Sequence, residues 1–258
     1  MTKLNEPNKD TYKMYTGNCA EIMPTLIDEK RRPMTFADFM KAVLDSTKSN
    51  YEETKMFWLN PIGRYELFGD GIAHHVAGKV KFVLDAPPLL EMTPCSKFDD
   101  SGCFILDYGE YERCEGLEIT LDALPTYRPY FEDHLTEKLA RKSPILKFLA
   151  RDDRLLKEFL DFNYAGLRKE PKWRRTTLDT SLWKVRSREN VMTRLQINWN
   201  HGYLSLMGHP VRSRHDNVIG VSHQNIDEGL GVSPLLETKM ENELGWREKV
   251  RENLLKYF

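Results

Sequence analysis

The sequence predicts an α+β domain in which one mixed or mainly antiparallel sheet is covered by helices. Strand-type runs recur in two places: MFWL, YELF and VKFVL between Lys55 and Leu84, and the alternating Leu195, Ile197 and Trp199 followed by Tyr203, Leu204 and Leu206. Helical spacing marks Phe36, Phe39, Met40, Val43 and Leu44, and again Leu146, Leu149, Leu156, Phe159 and Leu160. The 258 residues are 40% hydrophobic and 11% aromatic, enough to bury one sizeable core.

Residues 1–33 are polar, broken by Pro7, Pro24 and Pro33, and read as an N-terminal extension. No repeat, low-complexity tract or linker divides the remainder, so residues 34–258 are expected to form a single domain. Thr35 suits a helix cap, with Asp38 three residues on in the first turn. Asn60-Pro61, Gly63, Gly69-Asp70-Gly71 and Gly78 punctuate the runs that follow, so several short strands are expected there. His74 and His75 are adjacent on one of them and therefore point to opposite faces, one inward and one outward, rather than to a shared metal ion.

Residues 85–122 hold ten carboxylates against Lys97 and Arg113, the pattern of a solvated face. Asp99, Asp100 and Asp107 are the oxygen donors there that a Mg²⁺ ion would take. A strand pair is expected at Cys103–Tyr108 and Leu117–Leu121. Helices are expected at His134–Leu139, at Ile145–Phe162 and, in one or two pieces, at Ser233–Phe258.

A formal net charge of −1 excludes a globally basic nucleic-acid binder but not a local patch. No long apolar run or signal-peptide pattern opens the chain, so a soluble, cytoplasmic protein with no membrane partner is expected. Cys19, Cys95, Cys103 and Cys114 form no CxxC pair and read as free thiols. No metal site is expected.

Two stretches carry chemistry. From Arg168 to Arg194 there are nine Lys or Arg against Glu170, Asp179 and Glu189, interleaved with Trp173 and Trp183. Guanidinium groups fork onto phosphate oxygens and aromatic rings stack on bases, so this segment suits a phosphorylated or nucleic-acid partner. Gln196–Ile226 then reads as a hairpin turning at Asn200-His201-Gly202. It is followed by Arg212, Ser213, Arg214, His215 and Asp216, the apolar Val218–Val221, and His223, Gln224 and Asn225.

The order Pro171-x-x-Arg174-Arg175, a strand, Asn200–Ser205, Arg212-Ser213, Asp216, Gly220-Val221 and Asn225 resembles the second half of thymidylate synthases and the related pyrimidine-nucleotide hydroxymethylases. Tyr65–Gly69 and Phe82–Leu90 are similar to that family's first half. The resemblance implies a thymidylate-synthase-like fold, a homodimer and a pyrimidine nucleoside monophosphate ligand. Arg212 and Ser213 would grip the phosphate, Arg174 and Arg175 would reach it from the other subunit, Asn225 would read the base edge, and Asp216 would lie near the base. The family's cysteine nucleophile is replaced here by Glu189–Thr193, so the resemblance implies binding with altered or absent transferase chemistry, no assigned catalytic residue, and a folate only if chemistry is retained.

Two further readings stand beside it. His201, Asn217 and Asn225 follow the His-Asn-Asn order of metal-dependent finger nucleases. Alternatively, the basic, Trp-bearing segment 168–194 serves a nucleic-acid-binding protein. Lys13–Leu26 resembles the strand and turn before the catalytic motif of amino-methylating DNA methyltransferases, but the nearest approach to their tetrad, Asp85–Leu89, has the wrong order, which excludes that reading.

Overall fold

A computed structural model of the chain describes residues 11–48, 62–120, 122–127, 135–167, 176–178, 187–200, 203–211 and 216–222. The sheet is organised around its two longest strands, β3 (Ile62–His74) and β8 (Val191–Asn200), which pair antiparallel from Ile62 opposite Asn200 to His74 opposite Val191. The register shifts between Leu67 and Gly71. This bulge is why Gly69-Asp70-Gly71 interrupts the strand pattern without ending the strand. At Gly69 the backbones approach too closely for any side chain: an added Cβ would lie 2.6 Å from Thr35 Cγ2 and 2.8 Å from the Pro33 carbonyl oxygen. Gly69 N–H donates to Met34 O (3.1 Å), and its own carbonyl accepts from Ala86 N–H (2.9 Å), so the bulge ties three chain segments together.

Around this pair lie β1 (Tyr12–Gly17), β10 (Asp216–Ser222), β9 (Tyr203–His209) and β7 (Thr176–Leu178), in the order β1-β10-β3-β8-β9-β7. β10 runs parallel to β3 and β7 parallel to β9; β1–β10, β3–β8 and β8–β9 are antiparallel. Short strands extend it: β2 (Arg31–Pro33) on β10, β4 (Val80–Val83) on β3, β5 (Phe104–Ile105) on β8 and β6 (Leu117–Ile119) on β4. The stretch before residue 34 thus supplies β1, β2 and the helix α1 (Cys19–Asp28).

Side-chain alternation gives each sheet face its own core. Met14 and Ile219 are partners across β1–β10 and belong to one face, with Leu195, Ile197, Leu204 and Leu206; α2 (Phe36–Lys48), α7 (Pro144–Ala150) and α8 (Asp153–Leu167) cover it. Phe159 of α8 meets Phe36 and Phe39 of α2 edge to face, with ring centres 6.3 and 6.2 Å apart. Each such buried ring contributes on the order of 2–3 kcal/mol. The neighbouring pair Tyr15–Val218 belongs to the other face, with Ala73, Val83 and Met192, under α1, α3 (Pro87–Leu90) and α4 (Tyr108–Arg113). The remaining short helices are α5 (Leu124–Tyr127) and α6 (Glu137–Lys142).

Local chemistry sets the helix ends. Thr35 Oγ1 accepts from Asp38 N–H (3.2 Å) and Asp38 Oδ2 accepts from Thr35 N–H (2.9 Å), the reciprocal cap expected from the sequence. Asn18 caps α1 by accepting from Ala20 N–H (3.0 Å), and Ser143 caps α7 with Pro144 at its first position.

The α+β class, the 195–206 hairpin and α2 agree with expectation; His74 is buried at the strand's end, whereas His75, expected to point outward, lies just past the strand, half-buried against Tyr111. Other expectations need correction. Residues 103–108 and 117–121 do not pair with each other: β5 joins β8, β6 joins β4, and Tyr108 opens a helix capped by Asp107. The helix expected over Ile145–Phe162 is two, broken at Arg151, which takes φ 61°. The segment Ser233–Phe258 lies outside the described residues.

Candidate functional site

The strand register places six backbone positions in one row across the sheet. Gly17 pairs with Asp216; two residues back from the Val218–Glu66 pair, Asp216 stands level with Arg64; Arg64 pairs with Asn198, Asn198 with Ser205, and Ser205 with Thr177. Beyond this row β3, β7, β9 and β10 begin and β1 and β8 end, so six strand termini share one end of the sheet. The chain enters β7 directly after Lys172-Trp173-Arg174-Arg175 and enters β10 directly after Arg212-Ser213-Arg214-His215. At about 4.8 Å per strand, β10 and β7 are roughly 19 Å apart across β3, β8 and β9.

Away from this end, where β9 finishes opposite Arg194, lies a buried polar anchor. Arg194 of β8 is fully buried; its Nη1 donates to the Val211 carbonyl (3.0 Å) and its Nη2 lies 3.1 Å from His209 Nδ1. The same carbonyl accepts from Cys19 Sγ–H at 2.8 Å, at the first turn of α1. His209 Nδ1 is also 3.2 Å from Pro210 O. One nitrogen cannot accept from Arg194 and donate to Pro210 at once, so the charge-assisted bond from the guanidinium sets the imidazole as acceptor.

A second cluster links β3 to the helices. Asp70 is fully buried; its Oδ2 accepts from Phe36 N–H (2.7 Å) and its Oδ1 from Arg151 Nη2 (2.8 Å), while Arg151 Nη1 donates to Asp85 (2.6 Å). Burial pushes the Asp70 carboxyl up to about 6 against the pull of Arg151. Nearby Arg32 forks onto Asp38; burial opposes its ionisation, yet Arg32 and Thr35 hold that carboxyl below its ordinary range. A third cluster has Lys81 buried over the Tyr111 ring at 4.4 Å, donating to Tyr111 O (3.3 Å). The first can fix a loop, the second a helix start, the third the β4–α4 junction.

Of the residues singled out in the sequence, Asp216 heads β10 opposite Gly17, and Asn217 follows it. Arg174, Arg175, Arg212, Ser213 and Asn225 lie outside the described residues, as do His201, His215 and His223. The basic stretch is divided by β7: Lys172–Arg175 precede the strand in sequence, whereas Arg188 is exposed ahead of β8, and Arg194 is interior. Asp99 spends its Oδ1 on Ser101 N–H, Ser101 O–H and Cys103 N–H, and Asp107 caps α4. Among the described residues no three His, Cys, Asp or Glu converge as a metal site would require, and no helix is long and apolar enough to cross a membrane. Asp70, Arg151 and the structural role of Arg194 were not foreseen; a charged residue between apolar strand neighbours is the one local signal, and at Arg194 it was absorbed into the basic run.

No family model and no curated protein matches the chain. A solved structure described as "Accommodation of massive sequence variation in Nanoarchaeota by the C-type lectin fold" is similar, with a TM-score of 0.54 over 84% of this chain and 100% of that one, at 12% identity. The likeness is one of fold. It overturns the thymidylate-synthase-like fold and membership expected from the 171–226 motifs. The physical reason is visible in β8: the interval read against that family's nucleophile loop enters a central strand, where Val191, Met192, Thr193 and Arg194 are all buried. The hairpin and strand start that resembled the family are elements many sheets share.

Proposed function

We propose that this chain is a nucleic-acid-binding module, with a C-type-lectin-like scaffold whose recognition surface is the sheet end where β3, β7, β9 and β10 begin. One observation carries the reading: the register brings the entry points of β7 and β10, each immediately preceded in sequence by basic residues, to the same end of one sheet. Their separation of roughly 19 Å matches about five to six nucleotide steps at ~3.4 Å each, so an extended polyanion meets both runs. A single mononucleotide offers phosphate at one point only. The solved neighbour's fold is described as accommodating massive sequence variation, and a scaffold that tolerates such variation suits recognition by its connecting segments.

The test is fluorescence polarisation with a labelled 12-nucleotide single strand and a 12-base-pair duplex over a range of salt. Binding is expected to weaken steeply with salt, and each of Arg174→Ala, Arg175→Ala and Arg212→Ala should lower the slope of log K against log salt by about one. Absent binding, or binding indifferent to salt, overturns the reading.

A further inference from the structure

We infer that the end of the sheet opposite the proposed nucleic-acid surface carries a docking patch for a basic, arginine- or lysine-bearing segment of a partner protein, built from Val76, Tyr108 and the carboxylates of α4. The inference does not depend on the nucleic-acid reading. β3 begins at Ile62, at that surface, and ends at His74; the turn into β4 follows, and α4 packs beside it through the rings of His75 and Tyr111. Among the described residues three large apolar side chains are exposed, Ile27, Val76 and Tyr108, and the last two belong to this turn and this helix. Tyr108 is 68% exposed and Val76 56%.

Both side chains stand on a fixed support. His75 N–H donates to Lys79 O and Gly78 N–H to His75 O, each at 2.8 Å, and Ala77 N–H donates to His75 Nδ1 (3.0 Å), which closes the turn. Asn190 ties the turn to the helix: its Oδ1 accepts from Val76 N–H (3.1 Å), and its carbonyl accepts from Leu106 N–H (2.8 Å), two residues ahead of Tyr108. The reciprocal cap between Asp107 and Glu110 then sets the start of α4. The His75 ring meets both tyrosines, with centres 6.4 Å from Tyr108 and 4.9 Å from Tyr111. A surface ordered before a partner arrives loses little freedom when it is covered.

The surroundings select the partner by charge. Residues 107–118 hold five carboxylates against Arg113. Lys79 stands in the turn, while Lys81 is buried, its ammonium 4.4 Å over the Tyr111 ring and 3.7 Å from Glu118. An aromatic face beside carboxylates attracts a cation through the ring quadrupole and through Coulomb attraction, and the same carboxylates repel a polyanion. Lys81 on Tyr111 makes this pairing inside the molecule; Tyr108 offers it outward. A basic segment with an apolar side chain next to its cation covers Val76 as well.

The experiment uses the full chain and fluorescence polarisation with a labelled twelve-residue peptide, (Arg-Ser-Leu-Gly)₃, against the neutral control (Gln-Ser-Leu-Gly)₃. The arginine peptide is expected to bind at least about fivefold more tightly than the control. Tyr108→Ala should weaken the arginine peptide about fivefold, and Tyr108→Phe, which keeps the ring, should stay within about twofold of wild type. Glu112→Gln and Val76→Ser should each weaken it about two- to threefold, and Ile27→Ser should change nothing. No binding of the arginine peptide, equal binding of the two peptides, or a loss no greater for Tyr108→Ala than for Ile27→Ser overturns the patch. Sedimentation equilibrium of the chain without peptide tests the other occupant: a wild-type dimer that Tyr108→Ala converts to monomer assigns the surface to a second copy and overturns the basic partner.

Discussion

Asp70 and Arg151 form an ion pair at 2.8 Å in which the carboxylate is wholly buried and the guanidinium belongs to a residue in the left-handed region, φ 61°. Arg151 also pairs with Asp85, itself at φ 45°. Left-handed backbone costs a non-glycine residue about 1–2 kcal/mol, so the pairing offsets strain at Arg151 and Asp85. Substitution can separate the two effects. Arg151→Ala keeps the strain and leaves Asp70 buried without its cation, at a cost of about 2–4 kcal/mol. Arg151→Gly loses the same pair but relieves the backbone, and should be about 1 kcal/mol less destabilised than the alanine variant. Urea midpoints of the two variants decide it; equal midpoints would show that the φ value carries no strain.

Acid stability follows from two buried groups with opposite signs. His74 is held neutral by burial, its pKa down to about 3, with Nε2 3.2 Å from Thr193 Oγ1. On acidification the unfolded imidazole takes a proton near its ordinary value while the folded one does not, so stability is lost from about pH 6.5 down to about 3. Asp70, raised to about 6, behaves oppositely: the folded carboxyl takes its proton first, so stability is gained as pH falls from about 6 towards 4. The His74 term is the larger, on the order of 5 kcal/mol against 3. Urea unfolding from pH 7 to 4 is expected to show a shallow loss for the wild type, a steep one for Asp70→Asn, and a clear gain for His74→Gln. A steep loss that survives in His74→Gln would assign it elsewhere.

Where the sequence was legible, the determinants are local. The Thr35–Asp38 cap, the 3.6-residue spacing behind it and the alternation on both sides of Asn200 need no distant partner, and α2 and the β8–β9 hairpin follow from them. Where it was not, the cause is long-range. Nothing between Ile145 and Phe162 is a glycine or proline, and the helix breaks at Arg151 because Asp70 and Asp85, 81 and 66 residues away, fix its side chain. Gly69-Asp70-Gly71 has the composition of a turn, yet it bulges within β3 because Met34 and Ala86 take its backbone groups. The candidate site was legible only in part: basic runs can be counted, but which of them share an end of the sheet depends on register, and β7 divides the 168–194 run into two regions.

The bulge makes a prediction of its own. Gly69→Ala places a methyl group 2.6–3.0 Å from Thr35 Cγ2 and the carbonyls of Pro33 and Met34, and two of those three are backbone that cannot swing away. The expected cost is about 2–3 kcal/mol, from overpacking rather than from φ. For a chain of this size that lowers Tm by roughly 4–10 °C. Calorimetry on Gly69→Ala measures it, and a change under about 1 °C would show that the bulge can open.

The division of the basic run supplies the sharpest control on the proposed function. Net charge attracts polyanions from a distance and does so wherever on the surface it sits, so a loss of affinity on removing any one arginine proves little. Position distinguishes the cases. Arg188 is exposed and lies ahead of β8, whose far end, Asn200, pairs with β9 and β3 at the proposed surface. Arg174→Glu and Arg188→Glu change the net charge equally, by −2. If recognition occurs at the end where β7 and β10 begin, Arg174→Glu should weaken oligonucleotide binding by about tenfold or more at 100 mM salt, and Arg188→Glu by no more than about twofold. Equal losses would reduce the interaction to diffuse charge and remove the sheet end from the account.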